Sequence, residues 1–127
     1  MLPTGKHAYR GVDGDWTLTL KAGALTYRYR LPHYSELWWS QEAAAQPVAD
    51  GIRVAGTMYK EDVVAGEAVS DTMAFDLTIL KHPCRDSRGR MQPVTASLTL
   101  RSRDGAPRAA QACGRDVPAL APDKAAE

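Results

Sequence analysis

At 127 residues the chain is about one domain in size, too short for two independent cores and hence for a two-domain enzyme. With 44% apolar and 24% charged residues it is neither wholly disordered nor a coiled coil, and no window nears the roughly 18 consecutive apolar residues of a membrane span. A net charge of +1 removes the basic footprint of a general nucleic-acid binder, so no nucleic-acid partner is expected.

Met1-Leu2-Pro3-Thr4-Gly5 has neither a charged start nor an apolar run and reads as a mature chain given a start methionine. Residues 1–10 are expected to be a flexible N-terminus, 11–115 a β-barrel domain and 116–127 a flexible tail. Period-two alternation then dominates, and no helical period appears at convincing length. Asp13-Gly14-Asp15 lacks the remaining ligands of a calcium loop and reads as a turn. In Trp16-Thr17-Leu18-Thr19-Leu20 the apolar residues take every second place, marking a half-buried strand. After a turn at Lys21-Ala22-Gly23-Ala24, Leu25, Tyr27, Tyr29 and Leu31 share one face while Arg28 and Arg30 face water, which makes a hairpin.

Residues 32–48 show no clean period and read as a long connection, with Pro47 limiting any helical turn in Ala43-Ala44-Ala45. Ile52, Val54 and Met58 share a face of the next strand, with Gly56 marking a bulge or bend. Residues 60–71 read as a short strand and an acidic loop. The strongest strand runs from Met73 to Leu80. Lys81 to Pro93 has a loop composition. Val94, Ala96, Leu98 and Leu100 resume the inward face, Asp104-Gly105 turns, and Arg108 to Cys113 returns.

The sum is an all-β chain, a small antiparallel β-barrel or barrel-like sandwich of six to eight strands, because a flat sheet of that size would leave one apolar face open. Cys84 and Cys113 each follow a strand, and one hairpin separates those strands, so both thiols fall at the same end of the sheet. A disulfide is expected there, closing one end. Its loop of about 30 residues is worth roughly 3–4 kcal/mol on the chain-entropy argument, and it implies an oxidising compartment.

Catalysis and metal binding find no support. His7, His33 and His82 are scattered, there is no P-loop, GxSxG or GxGxxG, and nothing places two acids in a cleft. The expectation is no catalytic residue, no metal and no cofactor. Charge, however, is segregated: basic and acidic residues number five and two in 1–35, two and eight in 36–80, and nine and five in 81–127, giving +3, −6 and +4. The acids Glu61, Asp62 and Glu67 suit a cationic partner. Trp38 and Trp39 are adjacent, so in an extended chain only one of them faces the core. With Tyr34 they form an aromatic segment that reads either as a plug for the barrel or as a binding anchor. Arg85, Arg88 and Arg90 form a basic loop suited to phosphate or an anionic lipid surface.

His82-Pro83-Cys84-Arg85-Asp86, then Gln92-Pro93-Val94 leading into an alternating strand, and finally Ala112-Cys113-Gly114 resemble the Pro-Cys-x-Asp and Gly-Cys signature of an uncharacterised bacterial cell-envelope family. Gly11 to Trp16-Thr17-Leu18 resembles that family's opening. Here Ser87-Arg88 replaces its Met-Ser, Gln92 its aromatic before proline, and Ala112 its last glycine. The resemblance implies a periplasmic or outer-membrane lipoprotein, any membrane anchorage falling to a lipidated precursor cysteine outside this sequence. In architecture alone the chain is distantly similar to the membrane-bound inhibitors of c-type lysozyme, without their inhibitory loop motif. The expected function is a non-catalytic binding module of the bacterial cell envelope, binding or inhibiting a cationic protein such as lysozyme. A carrier of a small hydrophobic ligand and a small enzyme are the alternatives.

Overall fold

The computed structural model describes residues 1–103 and 105–121, and within them every side chain but those of Tyr34, Asp62, Val63 and Val64. Among these residues the strands are β1 (Leu2–Pro3), β2 (Lys6–Gly11), β3 (Trp16–Lys21), β4 (Ala24–Leu31), β5 (Tyr34–Ser40), β6 (Ala45–Val48), β7 (Gly51–Val64), β8 (Glu67–Leu80), β9 (Cys84–Arg85), β10 (Met91–Gln92), β11 (Val94–Ser102), β12 (Arg108–Gly114) and β13 (Leu120–Ala121). Eight of them form a closed antiparallel barrel in the order β5-β4-β3-β2-β12-β11-β8-β7, β7 returning to β5 through Trp39↔Tyr59 and Ser40↔Met58. β6 pairs with the start of β7 as a ninth strand of the same sheet. Closure is what the alternation demands, since it pairs the edges and buries the apolar face together.

The inward residues pack into one core. Leu18, Leu20 and Leu25 from β3 and β4 meet Val54, Leu77, Ile79 and Leu98 from the other half of the barrel, all with no more than 1% of their surface exposed. Each such side chain contributes about 1.5–3 kcal/mol on burial. Trp16 and Tyr27 pack with ring centroids 5.6 Å apart. Two hairpins turn on Ala-Gly pairs with both residues in the left-handed region, Ala22 and Gly23 at φ 49° and 90° and Ala65 and Gly66 at 52° and 82°. Such turns match the right-handed twist of the strands they join.

The structure departs from the sequence reading in five places. Residues 32–48 are not one connection, since they hold β5 and β6. The period of β5 was hidden because its inward residues alternate Glu36, Trp38, Ser40. Both polar ones are satisfied: Ser40 Oγ accepts the Leu25 amide at 2.9 Å and donates to the Gln41 carbonyl, and Glu36 accepts from Lys60 Nζ at 3.2 Å. Gly56 marks no bulge. The β7–β8 register runs unbroken through Gly56↔Phe75, and the Phe75 ring takes the space above the glycine, where a Cβ would lie 3.1 Å from Phe75 Cε1. Residues 60–71 are the distal part of the long β7–β8 hairpin and not a strand and loop. Residues 6–10, set outside the barrel by the sequence reading, form most of β2. Likewise Leu2–Pro3 pairs with Leu120–Ala121, and the Tyr9 hydroxyl donates to the Asp116 carbonyl at 2.9 Å. Asp104 and residues 122–127, read as part of a turn and of the tail, lie outside the described residues.

Cys84 and Cys113 are bonded, their Cα atoms 5.4 Å apart. The fifth departure concerns where this bond sits. Cys113 lies between inward-facing Ala112 and Gly114 and pairs with outward-facing Thr95 and Arg10, so the disulfide is on the outer wall and does not plug an end of the barrel. It fastens the loop 84–92 against the outside of β12. Thr95 Oγ1, on β11, holds the segment just before this loop by donating to the His82 carbonyl at 2.9 Å.

Candidate functional site

Two surfaces collect the residues singled out by the sequence. The first lies where β5 closes on β7. Trp38 points into the barrel and is 6% exposed, whereas Trp39 points out and is 42% exposed. The Lys60 ammonium sits 5.2 Å from the Trp38 ring centroid while bonded to Glu36, which folds one cation of the hairpin inward over an aromatic face. Trp39 rests against Tyr59, ring centroids 5.2 Å apart, and borders an open groove of about 570 Å³ with Leu37, Arg28, Arg30 and Glu61. Beyond Tyr59 the hairpin continues as an arm on which Glu61, Glu67 and Asp71 are exposed.

The three acids proposed to act together are therefore only partly joined. Glu61 shares the Trp39 groove, and Glu67 lies near the arm's tip in the strand register of Asp71, on the face opposite Glu61. The side chains of Tyr34 and Asp62 lie outside the described residues. The rest of the −6 segment is dispersed: Asp76 accepts from two of the guanidinium nitrogens of Arg53, Nε and Nη2, and Asp50 faces His82 at 3.4 Å. The Arg53 hydrogen bonds lower the Asp76 carboxyl below its ordinary value, as a charged donor does for the ionised form.

The second surface is a cleft of about 640 Å³ between the outer face of β2 and the loop 84–92. Arg88 and Arg90 line it, joined by Lys6, Arg10 and Arg115. Arg85 does not; its guanidinium donates back to the Gly89 carbonyl at 3.1 Å. Asp86 organises the loop, its carboxylate accepting the Arg88 and Arg90 amides at 2.9 Å and Gln92 Nε2 at 3.1 Å. These bonds, the Gln92 one foremost, lower its titration below the ordinary value. Across the cleft, Asp116 approaches His7 Nδ1 at 2.7 Å while His7 Nε2 faces the Thr4 carbonyl at 2.8 Å. Both partners are acceptors, so both contacts are made together only by a ring carrying two protons.

Tyr9 lies behind this cleft with its ring against Gly114, where a side chain has no room. Burial, and secondarily Asp116, raise its hydroxyl above the ordinary value. Tyr27 is pushed up to about 12, chiefly by burial. The sequence signal for Lys6 and Arg10 was present in the outward alternation Lys6, Ala8, Arg10, but that run is short and its inward members include a histidine. Among the described residues no three His, Cys, Asp or Glu side chains gather as a metal site.

Compared with protein-family profiles, curated proteins and solved structures, the chain finds no match.

Proposed function

We propose that the protein is a non-catalytic binding module of the bacterial cell envelope, and that it engages a cationic protein through Trp39 and the acidic arm at whose root that ring lies. The observation that carries this reading is the exposure of Trp39, a large aromatic held on Tyr59 and turned away from a core that has no use for it. Exposed, braced aromatics are the side chains that supply most of an interface's affinity, while charge sets its approach. Arg28, Arg30 and Lys60 line the groove beside Glu36 and Glu61, so the attraction for a cationic partner falls to the arm beyond it, where Glu67 and Asp71 are exposed and Lys60 is the one cation among residues 59–72. The disulfide supports an extracytoplasmic, non-reducing location, and the cell-envelope resemblance in the sequence agrees with it.

The carrier alternative needs room inside the barrel. Its interior is occupied by the cluster of Leu18, Leu77, Leu98 and their neighbours, and the described clefts are open grooves on its outside. An enzyme of unassigned reaction is the other alternative, and specific turnover of any small substrate would establish it.

Lysozyme serves as the cationic test partner. Titration calorimetry at low salt is expected to show binding that weakens as salt rises. Trp39→Ala is expected to cost about 2 kcal/mol of it, and the joint change Glu61→Gln, Asp62→Asn, Glu67→Gln to slow association. No heat of binding at low salt overturns the lysozyme reading and leaves the acidic arm a solvated surface.

A further inference from the structure

The cleft beneath the disulfide-bound loop has a charge pattern that nothing in the fold requires. Lys6, Arg10, Arg88, Arg90 and Arg115 line it against two carboxylates, Asp86 and Asp116, a surplus of three positive charges (5 − 2 = 3) before His7 is counted. Among the described residues none of the five cations makes an ion pair, whereas both acids are engaged, Asp86 by its own loop and Asp116 by His7. Repulsion among gathered like charges opposes the compact state, and solvent alone would be served as well by dispersing them.

The cleft is also held in shape. One wall is the outer face of the closed sheet, where Arg10 pairs with Thr17 and Cys113. The other is the loop, fixed by the disulfide, by the three bonds to Asp86 and by Ser87 lying close to Gly14. Arginines predominate, and their planar forks suit phosphate and carboxylate oxygens. The size of the surplus separates the two chemistries. A phosphate monoester carries about 1.5 to 2 negative charges at neutral pH, so two neighbouring phosphates neutralise the surplus within one small ligand, where carboxylates would need three separate groups. A volume of about 640 Å³ lies within the roughly 300–1,000 Å³ of small-molecule sites.

We propose that this cleft binds a ligand carrying two phosphate groups, either free in solution or borne by a lipid headgroup. The site shares no residue with the Trp39 surface and does not rest on the cationic-partner reading; a failure of one leaves the other standing.

Inorganic pyrophosphate is the probe for the free ligand, titrated calorimetrically at low salt against the intact, oxidised protein. Saturable one-to-one binding is expected, with orthophosphate at least about tenfold weaker and the double variant Arg88→Gln, Arg90→Gln weaker by about tenfold or more, since one charge-assisted hydrogen bond is worth that much. Both arginines are exposed, so the variant keeps its fold, checked by its melting temperature. For the lipid source, the protein is sedimented with phosphatidylcholine vesicles containing diacylglycerol pyrophosphate, whose headgroup ends in two linked phosphates, or phosphatidylglycerol, which has one phosphodiester, at matched charge. Preference for diacylglycerol pyrophosphate that free pyrophosphate competes away assigns the lipid-borne form, and pyrophosphate binding with equal, uncompeted sedimentation assigns the soluble one. The proposal is overturned if pyrophosphate neither binds saturably nor displaces the protein from vesicles, or if the double variant binds as tightly as the native protein.

Discussion

On the loop side of the barrel, residues 84–92 are clamped to the outer wall by a disulfide, Thr95 holds the chain that leads into them, and the Asp86 carboxylate braces them from within by accepting two of their amides and a side-chain amide. On the arm side, the far end of the β7–β8 hairpin carries exposed acids on both faces and is held by its own ladder. One charged surface is thus fixed from outside itself, while the other is as rigid as a two-stranded ribbon, which is marginal in water. The difference matches the two proposals: binding of a small ligand profits from preorganised charge, whereas encounter with a large partner is steered by long-range attraction.

Removing the clamp should show this contrast most strongly. The variant Cys84→Ala, Cys113→Ala is expected to lose about 3–4 kcal/mol in denaturant unfolding. Hydrogen exchange should quicken over residues 84–92 and leave the arm's rate as it was; equal quickening in both regions would mean that the loop is held without the disulfide. A smaller loss on the same side is expected from Gly114→Ala. Its Cβ would enter the space of the Tyr9 ring, displacing it from the Asp116 carbonyl at a cost of about 1–3 kcal/mol, and unchanged stability would show that the ring has room to move.

The tyrosines report on the barrel wall between the two regions. Tyr27 titrates near 12 and Tyr9 is raised further, against an ordinary value of 10.0. The folded protein therefore keeps protons that the unfolded chain releases, so stability is whole below pH 10 and falls as pH rises through about 12. Tyrosinate absorbance should show two of the five tyrosines ionising only above the ordinary range, and five normal titrations would contradict the burial. The smallest effect belongs to the arm. Ala65 sits in the left-handed region, where alanine is strained and asparagine is tolerated, so Ala65→Asn should raise stability by up to about 1 kcal/mol. No gain in melting temperature would place that turn in another conformation.

How far these features could be read from the residues depends on which side of the wall they occupy. Met73 to Leu80 and Val94 to Leu100 alternate with apolar residues inward and are strands for that reason alone. β5 was lost because Glu36 and Ser40 point inward and are satisfied by partners remote in sequence, Lys60 and Leu25. Similarly, adjacency showed that Trp38 and Trp39 differ, but which one is buried depends on the pairing of β5 with β7. The disulfide followed from strand order. Its place on the outer wall did not, since that depends on whether Cys113 falls in the inward or outward phase of β12. The cationic cleft was half legible: Arg88 and Arg90 are close in sequence, while Lys6, Arg10 and Arg115 reach them only through the pairing of β2 with β12.

That ligands meet this barrel on its outside, at two separate charged surfaces, is tested most directly by N–H magnetic resonance of the backbone and indoles during two titrations, one with pyrophosphate and one with lysozyme. Pyrophosphate is expected to shift the amides of Arg10, Arg88, Arg90 and Arg115 and leave the Trp39 indole unmoved; lysozyme is expected to shift the Trp39 indole and Glu61 and leave the cleft unmoved. Shifts centred on Leu18, Leu77 and Leu98, or both ligands moving one common set of residues, would contradict it.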